Sequence, residues 1–163
     1  MPKEMLVGIL IAASIAPTLV FVMISTRKVS RPLALVEAKE GSEWSLGLMA
    51  PQGRKRRLCV RYEVTYQGTE DDFGLIVDYR CRTPEGEIHE RAGVGHVTSP
   101  EMDRFVGTSY SNSFTSMLGS CRQKATFILA TLGPFPYPAE LGATGTVHVS
   151  QGTTLVRAEV YFS

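Results

Sequence analysis

Residues 5–24, MLVGILIAASIAPTLVFVMI, form a run of twenty residues without a charge. A helix rises about 1.5 Å per residue, so this run would span about 30 Å, the hydrocarbon thickness of a bilayer. A single β-domain has no place for a helix that is apolar on every side, which argues against a core helix. A cleaved signal peptide is the competing reading. Its apolar region is normally only about 7–15 residues, and the small-residue cleavage candidate at Ala16 is followed by Pro17. The expected organisation is a transmembrane anchor over 1–25, a linker over 26–43 and a β-sandwich over 44–163.

Inside the anchor, Gly8, Ala12 and Ala16 recur every four residues and share one helix stripe. Small residues so placed let a second helix approach closely, so they are candidate helix-packing positions. Pro17 predicts a kink near the middle. The flanks bear on orientation. Lys3 and Glu4 precede the run, whereas Arg27, Lys28, Arg31 and Lys39 follow it. The positive-inside rule then puts the C-terminal domain in the cytoplasm, although many anchored sandwiches sit outside the membrane. Further on stands the run Arg54, Lys55, Arg56, Arg57. Together with Arg27, Lys28 and Arg31, these cations are candidate contacts to anionic headgroups, at about 1 kcal/mol each near the surface. The net charge of +1 gives no electrostatic case for nucleic acid.

From Trp44 onward the hydrophobic period is two. Leu58, Val60, Tyr62, Val64 and Tyr66 share one face of a strand, and Phe73, Leu75, Val77, Tyr79 and Cys81 share one face of the next. The polar stretch QGTEDD between them reads as a hairpin tip, as does 151–153 near the C-terminus. Residues 83–86 read as a turn, followed by a short edge strand over 87–91. Ser99-Pro100 resembles a helix start, with the helix ending near Gly107. Residues 124–132 are apolar on both faces and predict the most buried strand. Seven or eight short strands with turns about every ten residues predict an all-β, immunoglobulin-like two-sheet sandwich, with a small barrel as the rival.

Chemistry is sparse. His89, His96 and His148 show no metal-ligand spacing, and the glycine pair Gly93 and Gly95 lacks the length of a phosphate loop. The acidic turn over 69–72 lacks the alternating oxygen ligands of a calcium site. No nucleophile elbow occurs among the serines. The three cysteines, Cys59, Cys81 and Cys121, are odd in number; alternation sends Cys59 and Cys81 to opposite sheet faces and leaves Cys81 with Cys121 as the one pairing to weigh. The expectation is a protein that is not an enzyme and carries no cofactor or metal. Two uncharged segments are candidate partner surfaces: 105–121, with Phe105, Tyr110, Phe114 and Met117, and the loop holding Phe135 and Tyr137. The competing reading folds both over the sandwich ends to finish the core.

These features predict a non-catalytic accessory or scaffolding subunit of a larger membrane complex, with the bilayer and integral membrane proteins as partners. An energy-converting complex is the host expected on general grounds. The alternative is a membrane-tethered envelope binding or assembly-factor module, which predicts a Cys81–Cys121 bridge.

Overall fold

The computed structural model describes residues 31–67, 73–97, 102–106, 109–117 and 119–163, with side chains described except at His96 and 109–117. The predicted anchor with Gly8, Ala12 and Ala16, and the start of the predicted linker with Arg27 and Lys28, lie outside the described residues. No helix among those described is long and apolar enough to cross a membrane.

Ten strands build the domain. They are β1 (Ala34–Glu37), β2 (Trp44–Ala50), β3 (Arg56–Gln67), β4 (Phe73–Thr83), β5 (Gly86–His96), β6 (Arg104–Val106), β7 (Ser109–Met117), β8 (Ser120–Leu132), β9 (Ala139–Val149) and β10 (Thr153–Phe162). They form two five-stranded sheets, β1-β10-β3-β8-β7 and β2-β9-β4-β5-β6. Every pairing is antiparallel except β5 with β6. The all-β two-sheet expectation therefore holds.

The winding differs from the expected one. β1 pairs with β10, β2 with β9, β3 with β8 and β4 with β5, so the chain is a long antiparallel ribbon folded over on itself. That nesting is the order of a jelly roll, not the order of an immunoglobulin sandwich, in which early strands pair with one another. Both outer hairpin expectations fall with it. The link across 68–72 joins β3 to β4, which lie in different sheets, and residues 150–152 join β9 to β10, also in different sheets. Turn chemistry marks where a chain reverses but not whether it reverses within a sheet or over its edge. Residues 83–86 do close a hairpin, but β5 is a long inner strand rather than a short edge. In place of the helix expected to end near Gly107, Arg104–Val106 is a short strand along β5.

Alternation does the packing. Leu58, Val60, Tyr62 and Val64 of β3 face Leu75, Val77, Tyr79 and Cys81 of β4 across one core. Leu129 and Phe127 of β8, Leu141 and Val147 of β9, and Phe162 of β10 complete it. Trp44 closes the β2 side, and the glycine beneath it is required: a Cβ at Gly145 would lie 2.2 Å from the Asp78 carbonyl and 2.7 Å from the indole.

Two glycine substitutions should therefore differ. Gly145→Ala is expected to cost about 1–3 kcal/mol through overpacking. Gly47→Ala, where the nearest atom to a new Cβ is 3.6 Å away, should stay within about 0.5 kcal/mol of the parent. Urea unfolding followed by the fluorescence of Trp44, the single tryptophan, reads both.

Candidate functional site

Three regions carry exposed chemistry, and the strand directions decide which residues meet. The chain enters at Arg31, and Leu33 donates its amide to the Phe162 carbonyl at 2.8 Å. At this entry end two connections cross between the sheets, residues 51–55 from β2 to β3 and residues 133–138 from β8 to β9. The Gly53 amide donates to the Phe135 carbonyl at 2.9 Å, holding the two crossings side by side. The basic run and the aromatic loop, distant in sequence, are thereby neighbours. Arg31, Arg54, Lys55 and Arg57 are exposed, and Arg54 and Lys55 make no ion pair among the described residues. Arg56 is half-buried and turns back to donate to the Lys55 carbonyl.

The aromatic loop divides. Tyr137 is 53% exposed, as is Leu33 beside the chain entry, whereas Phe135 is 2% exposed and belongs to the core. The crossing contains a cis Gly133–Pro134 bond and a left-handed Gly133. Phe135 is thus corrected from a partner contact to a core residue; an apolar ring at a crossing covers the open end of the two sheets. Of the other expected partner residues, Phe105 is 54% exposed on the short edge strand β6. Tyr110, Phe114 and Met117 fall on strand β7, at the edge of its sheet, rather than on a loop. The expected surface is therefore split between the entry end and two strand edges.

The outer faces of the two sheets contrast. On the β3–β10 face, Glu159 is buried between Arg61 and Arg157, each at 2.5 Å, and Glu63 pairs with Arg122 and with Lys124. Its charges neutralise one another across strands. On the other sheet lies a groove of about 380 Å³ lined by Ser45, Gly47, Arg80, Arg82, Glu87, Glu140, Gly142 and Thr144, among others. Arg80, Arg82, Glu87 and Glu140 form no ion pair among the described residues, although Arg82 and Glu87 are direct cross-strand partners.

A third cluster is structural. The register of β3 with β8 passes from Leu58 opposite Ala130 to Cys59 opposite Ile128, so Leu129 has no partner on β3, and it lies beyond the end of β7. Its carbonyl accepts from Arg104 and shares the single Tyr79 hydroxyl proton, at 3.0 Å, with Glu90 at 2.6 Å. Arg104 pairs with Glu90 at 2.8 Å. Burial works against the Arg104 charge, but Glu90 and Tyr79 outweigh it and hold the guanidinium's pKa above its ordinary value. Burial, with Glu90 beside it, raises the Tyr79 phenol. Sequence reasoning missed this clamp because its members lie on four separate strands.

No bridge joins the cysteines, all of which are free thiols. Cys81 sits two residues from the 83–86 turn at the entry end, and Cys121 beside the turn at the opposite end. That separation removes the Cys81–Cys121 pairing. Burial and the nearby Glu90 push the Cys81 thiol up to about 12. Cys59, on the outer face as alternation required, is also raised, mainly by burial. His89 bonds Asp78 at 2.9 Å across the outer face, and His148 is exposed two strands away. No group of metal-ligating side chains gathers among the described residues.

No family model, curated protein or solved structure matches the chain.

Three measurements follow from these environments. With a thiol reagent at pH 8, only Cys121 should react quickly in the folded protein, because Cys59 and Cys81 are buried and protonated. Tyr79→Phe should cost about 1–3 kcal/mol in urea unfolding by stripping hydrogen bonds from buried groups. Alkali should destabilise the domain. Cys81 ionises near 9.0 when unfolded and near 12 when folded. Between those values the folded state binds the extra proton, so stability falls as pH rises, by up to about 1.4 kcal/mol per pH unit for this group. A pH series of unfolding midpoints in Cys81→Ala and the parent checks the sign.

Proposed function

We propose that this protein is a non-catalytic accessory subunit of a larger membrane protein complex, held by a single N-terminal helix and docking through the entry end of its sandwich. The observation that carries the reading is the composition of that end. The chain arrives there from the apolar run, and there exposed Leu33 and Tyr137 stand with Arg54 and Lys55, cations without partners among the described residues. Residues 25–31, which join the run to this end, carry Arg27, Lys28 and Arg31. Apolar side chains beside cations suit a surface that meets both headgroups and a membrane partner. The cytoplasmic side is favoured by the cations after the run.

An enzymatic role lacks support in the geometry. Burial raises the Cys81 thiol and the Tyr79 phenol, and the carboxylate beside them, Glu90, is held by Arg104. A tethered binding module is the second reading. It no longer has a disulfide behind it, but the polar groove on the β2–β9 face favours it.

A photo-crosslinking residue at Tyr137 separates the readings in native membranes. The expected result is a discrete adduct with a membrane protein, absent when the probe replaces Val156, which is exposed on β10. Recovery of the chain as a lone monomer in mild detergent, with no adduct from position 137, would sink the docking proposal.

A further inference from the structure

We infer that the groove on the outer face of the β2–β9–β4–β5 sheet is a binding site for a neutral polyhydroxylated ligand, an oligosaccharide chain, with Gly47 and Gly142 as its floor.

The glycines are the first observation. Gly47 and Gly142 face each other in the β2–β9 register, which runs without a shift from Trp44 to Ala50. Glycine inside a strand weakens it, and usually marks a bulge, a sharp bend or a close approach to the backbone. Here there is no bulge. Neither residue has a positive φ, and a Cβ at either would meet nothing closer than ordinary contact, 3.6 Å at Gly47 and 3.7 Å at Gly142. The fold does not need glycine at this pair. Elsewhere it does: Gly74, Gly95 and Gly145 each have a backbone or side-chain atom within 3.0 Å of where a Cβ would stand. What the pair leaves is a groove floor without side chains of its own, open at Gly47 and overlain at Gly142 by the Arg82 guanidinium.

The lining is the second observation, and it is independent of the first. Arg80 and Arg82 stand on one side of the floor, with the Arg82 guanidinium over Gly142. Ser45 and Thr144, cross-strand partners, bring two hydroxyls, and Glu87 and Glu140 bring two carboxylates. The ionic groups of the opposite sheet's outer face are consumed in pairs; these four are not. Guanidiniums only donate hydrogen bonds and carboxylates only accept them, while sugar hydroxyls do both. Two cations against two anions leave the groove without net charge, which disfavours a purely anionic ligand. The floor at Gly47 admits a sugar ring beside the Arg82 guanidinium, and about 380 Å³ lies in the range of small-ligand clefts. The inference is separate from the docking proposal, because the groove and the entry-end surface use different residues.

The test uses the full chain in phosphatidylcholine nanodiscs, which avoids sugar-headed detergents. Calorimetric titration with cellotetraose, maltotetraose and chitotetraose, and with tetragalacturonate as the anionic probe, reads binding directly. Saturable binding of a neutral tetrasaccharide that persists in high salt is expected. Arg82→Ala should weaken it about tenfold or more, since a charge-assisted hydrogen bond is lost. Gly142→Val should abolish it by filling the floor, with an unchanged unfolding midpoint showing that the domain is intact. Lys124→Ala, on the opposite sheet, should leave binding as it was. No binding by any neutral probe overturns the inference. So does binding of tetragalacturonate alone, lost in high salt, which would mean simple ion pairing to the arginines. Binding that survives both Arg82→Ala and Gly142→Val overturns the location.

Discussion

Burial of the inward rows of the two sheets against each other is the constraint on which the rest of this domain depends. Each strand has one face that must leave water and one that must keep it. Leu58, Val60 and Val64 cannot be covered by their own sheet, only by the sheet opposite. Once the sheets stack, the open ends and edges of the sandwich become the places where backbone or apolar surface is left unfinished. The structure closes them with particular side chains. Phe135 caps the entry end, Trp44 the β2 side, and Tyr79 with Arg104 serves the carbonyl that the bulge at Leu129 leaves without a strand partner. What remains outside these closures is the surface free for function.

The two outer faces then take different parts. The β3–β10 face is a lattice of cross-strand ion pairs around a buried Glu159. The β2–β9 face holds Arg80, Arg82, Glu87 and Glu140 around the glycine pair, with no ion pair between them among the described residues. The entry end adds a third character, with apolar side chains beside cations. One small sandwich thus presents a face of paired charges, an open polar face and an end where apolar side chains stand beside cations. The proposals above assign the last two and leave the first as scaffold.

Much of the strand content was legible because alternation is a local signal. The inward row of β3 and that of β4 were readable residue by residue, including Cys59 outward and Cys81 inward. The 83–86 turn was readable for the same reason. The errors share one cause. The stretches around 68–72 and 150–152 carry good turn residues, yet each joins strands of different sheets. Residues 109–117 are rich in Ser and Asn, poor strand formers, yet their backbone pairs along β8 as β7, where a neighbouring strand supplies what propensity does not. The groove was not legible at all. Gly47 and Gly142 are unremarked single glycines until β2 and β9 bring them together.

By itself the sequence determined an uncharged twenty-residue run ahead of a period-two domain, a near-neutral charge, and which residues of each strand share a face. Those properties depend on neighbours one to four residues apart, and composition and spacing carry them. Only the tertiary structure decided that the strands nest as a jelly roll, that Phe135 belongs to the core while Tyr137 does not, that Cys81 and Cys121 lie at opposite ends, and that two glycines and four ionic side chains, without ion pairs among the described residues, share one groove. Each of those facts is a contact between residues far apart in the chain. Such contacts follow from how whole sheets bury one another, and no local pattern encodes that choice.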